Sequence, residues 1–230
     1  NREKFKSINT TIILSDYITV LNFLHKKKCY EICNDNGILV PKTWYNKNEI
    51  RTKKKIVVKK IKGSGSINFH IFKSKRQVPS YFDKSFLYQE FIDGQEYGMD
   101  ILNDFSGKFL HSCVKKKIEM RSGETDKAEI VYNEKFIKIA KKISSVFRHV
   151  GNLDLDFIIN KRNQLYFIDF NPRFGGGYPF THEVGFNYIK AIIKLYKGEK
   201  VYFKNGKKKF IGMKGIEIFE KKFKKNSINV

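Results

Sequence analysis

The chain of 230 residues has no apolar run near 18 residues, which excludes a membrane-spanning helix, and no secretory signal pattern. Cysteine is scarce. Cys29, Cys33 and Cys113 are an odd number without metal-ligand spacing, which argues against a disulfide framework and for buried thiols in a reducing, cytoplasmic setting. Internal repeats and long low-complexity segments are absent. Acidic residues are short as well: 23 Asp and Glu face 46 Lys and Arg, for a formal net charge of +23. The first residue is Asn1 rather than Met, so the sequence reads as a fragment.

What is present is a folding composition. Hydrophobic residues make up 41%, with 21 Phe and 12 Tyr, enough to fill the cores of one large domain or two small lobes. The charge invites a nucleic-acid reading, but the lysines are scattered along the chain, Lys26–Lys28, Lys53–Lys55, Lys115–Lys117 and Lys207–Lys209 among them. A basic surface suits a polyanionic small molecule equally well.

Apolar spacing predicts a helix over residues 16–36 that stops at Asn36-Gly37, and a strongly amphipathic helix over 133–149 that ends at Gly151. A third helix is expected over 182–197. Strands are expected in KKKIVVKKI, from Ile67 to Phe72, and in FLYQEFI, EYGMDILND and KFLHSCVKKKIEM. LDLDFIIN and QLYFIDF should form a hairpin, and GIEIF a last strand.

Three constellations carry chemistry. In the hairpin, Asp156 lies on the first strand, and Asp169 and Asn171 fall two apart on one face of the second. Three hard oxygen donors suit Mg²⁺, and Arg173 follows two residues on. Taken alone, Asp156 reads more readily as a surface acid on an exposed hairpin. Lys59 ends a strand before the Gly63-Ser64-Gly65-Ser66 loop, whose backbone N–H groups could close over phosphates, although the loop lacks a Walker ending and could be a plain hairpin turn. In YQEFIDGQEYGMD, Glu90 and Glu96 stand in apolar surroundings, on a segment suited to link two lobes.

In this order, VVKKIKGSGSI, YQEFIDGQEYGMDIL, MRSGETDKA, LDLDFII and FIDFNPRFGGGYP resemble the ATP-grasp superfamily, and within it the carbamoyl-phosphate-synthase-like carboxylate–amine ligases, over about residues 25–200. The resemblance implies an α+β fold of two lobes with mainly antiparallel sheets gripping ATP. It divides the chain into an N-terminal helical segment (1–48), a small lobe (49–103), a large lobe (104–200) and a Lys-rich extension (201–230). It implies that Lys59 and Gly63, Ser64, Gly65 and Ser66 hold phosphates, with Lys26 a further nucleotide contact. Gln89, Glu90, Phe91 and Ile92 would hold adenine, and Glu96 the ribose. Asp156, Asp169 and Asn171 would hold Mg²⁺, with Mn²⁺ as the alternative. Arg173 would stabilise the transferring phosphoryl group, and Arg121 would grip an acyl phosphate or substrate carboxylate. His182 and Glu183 would line the acceptor pocket or cap a helix N-terminus. Gly175–Gly177 would let the second substrate approach the backbone.

The implied reaction activates a small carboxylate as an acyl phosphate and joins it to an amine, without a membrane or nucleic-acid partner, and a homodimer fits this reading. Three departures are visible. The expected Asp-Lys reads His25-Lys26, and Asp169 stands where many relatives have Glu. The family's usual preceding α/β domain has only about 45 residues in its place, so it is expected to be absent or removed. The alternatives are a phosphotransferase on the same fold and a basic nucleic-acid-binding module.

Overall fold

The computed structural model describes residues 2–62, 69–121, 123–204, 206 and 209–215. In chain order these form α1 (Arg2–Lys6), α2 (Tyr17–Leu24), α3 (Lys26–Asp35), β1 (Thr43–Trp44), β2 (Ile56–Lys60), β3 (His70–Phe72), β4 (Phe86–Glu90), β5 (Gly94–Asn103), β6 (Phe109–Arg121), β7 (Glu124–Val131), α4 (Glu134–Phe147), β8 (Gly151–Asn160), β9 (Leu165–Asn171), α5 (Tyr178–Glu183), α6 (Tyr188–Tyr196) and β10 (Ile211–Met213). They build two antiparallel sheets, one of four strands in the order β1-β4-β2-β3 and one of six in the order β10-β7-β6-β5-β8-β9.

The six-stranded sheet is two-sided, and side-chain alternation decides what each side does. Met99, Ile101, Leu153, Leu155, Phe157, Phe167 and Phe170 point to one face and form the main core with α2, α3 and α4. Helix α4 presents Phe136, Ala140, Ile143 and Phe147 to it, one stripe of an amphipathic helix. Asn133 caps its start by accepting from the Lys135 N–H. On the other face, Leu102, Cys113, Ala128 and Ile130 pack under α5 and α6. The rest of that face carries the polar residues of β5, β6, β8 and β9.

Several boundaries differ from the sequence expectation. The 16–36 helix is two helices, broken at His25, which is extended and bridges to Lys62, while the Lys26 N–H donates to the Ile61 carbonyl at 3.2 Å. The break trades one helical turn for a junction with the end of β2. Helix α4 ends at Arg148 in the left-handed conformation, three residues before Gly151, which opens β8. The 182–197 helix is likewise two, separated at Gly185, whose φ of +105° no helix tolerates. Within MRSGETDKA, Met120 and Arg121 end β6, and β7 begins at Glu124. Strand β5, grouped above with the small lobe, is hydrogen-bonded into the six-stranded sheet, and α2 and α3 of the N-terminal segment belong to that sheet's core. Of GIEIF only Gly215 is among the described residues, and the last described strand is β10.

Candidate active site

Strands β8 and β9 set the site. They pair antiparallel with Asp156 opposite Asp169 and Asp154 opposite Asn171. The register then slips: Phe157 pairs with Phe167, which leaves Ile168 as the extra residue of a bulge. The bulge takes the Ile168 carbonyl out of the ladder. That oxygen accepts from Lys59 Nζ at 2.9 Å and from the Tyr30 hydroxyl at 2.8 Å. Lys59 therefore reaches from the four-stranded sheet to the carboxylate-bearing strand.

Lys26, placed by the break at His25, meets Asp169 with Nζ 3.0 Å from Oδ1. Asn171 Nδ2 donates to Asp169 Oδ2 at 3.1 Å. Burial pushes the Asp169 carboxyl up, but Lys26 and Lys59 outweigh it and hold it below the usual range. Burial lowers the Lys59 ammonium to about 8 against the pull of Asp169. Asp156 goes the other way. Burial raises it, Lys117 opposes, and Glu96 and Asp169 add to the rise. Lys117 Nζ stands 2.6 Å from Glu96 Oε1 and 2.7 Å from Asp156 Oδ1.

The fold thus brings Lys26, Lys59, Glu96, Asp156, Asp169 and Asn171 into one row. Other expected residues stand apart in their contacts. Glu90 pairs with Lys54, and the buried Gln89 side chain donates to Thr43 Oγ1. A cavity of about 720 Å³ opens beside the Glu90–Asp93 link, lined also by Lys42, Tyr45 and Lys54. Arg121 is bound to Asp126, and Arg173 Nη1 sits 3.3 Å from Asp154 Oδ2. His182 and Glu183 occupy the last turn of α5, so they do not cap its N-terminus. Gly63, Ser64, Gly65 and Ser66 lie outside the described residues.

The glycine triad meets this chain's own side chains. A Cβ on Gly175 would lie 2.2 Å from the Asp154 carboxyl, and one on Gly176 2.7 Å from Glu124 Oε2. Under Gly177 runs Lys115, paired with Asp100, which also accepts from the Thr181 hydroxyl. Asn152 Nδ2 donates to the Arg173 carbonyl at 3.1 Å and approaches Asp100 Oδ1 at 3.5 Å. Burial pushes Asp154 up to about 7, helped by the charge of Asp156. Sequence reasoning missed Asp100, Lys115, Lys117, Asp154 and Thr181. Lys115 and Lys117 belong to one of the scattered lysine runs, yet both are buried, while Lys116 points outward to Glu129. The alternation in CVKKKIEM facing EYGMD holds the missed signal.

A family profile described as an ATP-grasp domain matches residues 24–177. The chain belongs to the ATP-grasp family. Its two mainly antiparallel sheets are the ATP-grasp fold, as the motifs implied. Solved structures agree on the fold. The biotin carboxylase domain of Hydrogenobacter thermophilus 2-oxoglutarate carboxylase, in complex with MgADP, ADP and bicarbonate, superposes with a TM-score of 0.72 at 15% identity, over 88% of this chain and 51% of that one. The Thermotoga maritima N5-carboxyaminoimidazole ribonucleotide synthetase gives 0.69 at 16%, over 89% and 57%. An L-amino acid ligase from Bacillus licheniformis gives 0.62 at 18%, over 84% and 52%. This ATP-grasp chain spans about half the length of those proteins. The comparison with curated proteins finds no match.

The donor set suits Mg²⁺ by its chemistry. Asp156 and Asp169 offer carboxylate oxygens side by side, and Asn171, with Nδ2 committed to Asp169, offers its amide oxygen. Few hard oxygens, with phosphate oxygens and water completing the shell, are what Mg²⁺ takes. The residues fit.

Proposed function

We propose that this chain is the ATP-binding core of a ligase that activates a carboxylate as an acyl phosphate and joins it to an amine. The observation that carries the reading is the convergence of Lys26 and Lys59 on the bulged end of β9, beside the Asp156–Asp169 pair. Two ammoniums and two carboxylates at one bulge suit a metal–polyphosphate complex, and the family membership points the same way. The kinship with carboxylases and an amino acid ligase supports the carboxylate–amine chemistry.

In this reading Lys26 and Lys59 bind the phosphates. Asp156, Asp169 and Asn171 hold Mg²⁺, which supplies charge neutralisation on the phosphoryl oxygens. Glu96 takes the ribose, and the Glu90–Ile92 link with its cavity takes adenine. Arg173 leaves Asp154 for the phosphoryl group, and Arg121 leaves Asp126 for an acyl oxyanion. The γ-phosphoryl passes to a carboxylate oxygen and ADP departs. The amine nitrogen then attacks the acyl carbon, the acyl–oxygen bond breaks, phosphate leaves with the proton the nitrogen gives up, and the amide forms. The chain contributes positioning and charge, with no covalent enzyme intermediate. The three buried free cysteines support a cytoplasmic setting.

Isothermal titration with a non-hydrolysable ATP analogue tests this. Binding should require Mg²⁺ and fall at least tenfold in Asp169→Ala. Absence of binding by the folded wild-type chain would overturn the reading. ADP release with a carboxylate but no amine would favour a phosphotransferase instead.

A further inference from the structure

The proposed nucleotide row is already balanced in charge. Glu96, Asp156 and Asp169 bring three negative charges, and Lys26, Lys59 and Lys117 three positive ones. Lys117 grips two carboxylates at once, 2.6 and 2.7 Å away, with its side chain only 6% exposed. It starts on β6 and crosses β5 to reach Asp156 on β8. Gly98 of β5 lies beneath that crossing, where a Cβ would stand in ordinary contact, 3.7 Å from both Lys117 Cε and Asp156 Oδ1.

A divalent ion approaching this row alone finds Asp156 taken by a fixed ammonium and a net charge near zero. Its own two charges would be uncompensated in a partly desolvated place, where such imbalance is costly. A polyphosphate arriving with it changes the balance. The phosphate oxygens offer Lys117 a new anionic partner, and Asp156 is released.

We propose that Lys117 couples metal binding to nucleotide binding by holding Asp156 until phosphate oxygens replace it. Lys117 turns from Asp156 to the polyphosphate while keeping Glu96 as its second anchor. The chain then takes the metal–nucleotide complex and takes free metal poorly. By reciprocity, the nucleotide tightens metal binding by the factor that metal tightens nucleotide binding. This rests on the cleft being the ATP site.

The test uses Mn²⁺ followed by electron paramagnetic resonance, with and without the non-hydrolysable ATP analogue. Wild type should bind Mn²⁺ at least tenfold more tightly with the analogue than without. Lys117→Met should bind Mn²⁺ alone about tenfold more tightly than wild type and lose most of the coupling. Lys117→Arg should keep the coupling. A general loss of structure weakens binding, so a gain in affinity for free Mn²⁺ is a readout that a merely structural lysine would not give. Glu96→Gln with Lys117→Met removes one charge of each sign, serves if the single variant does not fold, and should show a smaller gain, because Asp156 is freed while the row stays near neutral. An unchanged Mn²⁺ affinity and unchanged coupling in these variants, with the wild type binding the analogue, would overturn the role of Lys117. A folded wild type that binds Mn²⁺ but not the analogue would instead overturn the ATP reading.

Discussion

Two groups of paired charges lie on the same face of the same sheet, one row apart, and they have opposite settings. Asp100 and Lys115 are sealed, with side chains 0% and 2% exposed under α5 and the glycine triad. Asp156, Asp169 and Glu96 are 29%, 24% and 39% exposed, in the row that Lys59 of the other sheet reaches. The residue types are the same. What differs is the cover. Thr181 of α5 closes over Asp100 and donates to it, so that pair has fixed partners and no room for exchange. Lys26 and Lys117 face carboxylates that a ligand could also reach. A sealed ion pair fixes geometry, and an open one is available for chemistry.

The largest effect should come from unbalancing the sealed pair. Asp100→Asn leaves the Lys115 ammonium buried without its counter-ion, and the expected loss of stability is about 3–5 kcal/mol. Urea denaturation measures it. Adding Lys115→Met should restore much of the loss, because an apolar stem of similar length leaves no orphan charge. No recovery in the double variant would mean that Asp100 acts through Thr181 and Asn152 rather than through Lys115.

Next in size is the mirror experiment on the open row. Asp169→Asn removes one charge from a site with solvent access, so the melting temperature should move by no more than a few degrees. Binding of the ATP analogue with Mg²⁺ should weaken about a hundredfold, or roughly 2.7 kcal/mol. If Asp169→Asn unfolds the chain as severely as Asp100→Asn, the distinction between sealed and open rows is lost.

The same contrast explains what the sequence disclosed. Strands β2, β4, β5, β6, β8 and β9 were legible because their apolar residues alternate or run together between turn residues, and Asp156, Asp169 and Asn171 followed from that alternation. Strand β7 was hidden because Glu124-Thr125-Asp126 carries no apolar alternation, and its strand form is imposed by pairing with β6 and β10. The break at His25 depends on Ile61 and Lys62, thirty-odd residues away, which no local signal reports. Lys115 and Lys117 looked like solvent-facing charges because their partners Asp100, Glu96 and Asp156 are distant in sequence. Asp154 was within reach: it shares a face with Asp156, two residues on.

The smallest effect concerns a sealed group without a counter-charge. His149 is fully buried, between the Asn103 amide at 3.3 Å from Nδ1 and the Ile101 carbonyl at 3.4 Å from Nε2. Burial lowers it from the ordinary 6.5 to about 4. Below pH 6.5 the unfolded chain binds a proton that the folded chain refuses, so stability contributed by His149 is complete above pH 6.5 and drains away as pH falls toward 4. Between pH 6.5 and 5 the loss should be about 1.6 kcal/mol. His149→Gln disturbs the Asn103 contacts and lowers stability at neutral pH, but it cannot titrate. Its urea-derived stability should therefore fall less steeply than wild type over that interval, by about one proton. Equal slopes would mean that acid reaches His149 without unfolding the chain, and that this cover is less tight than the one over Asp100.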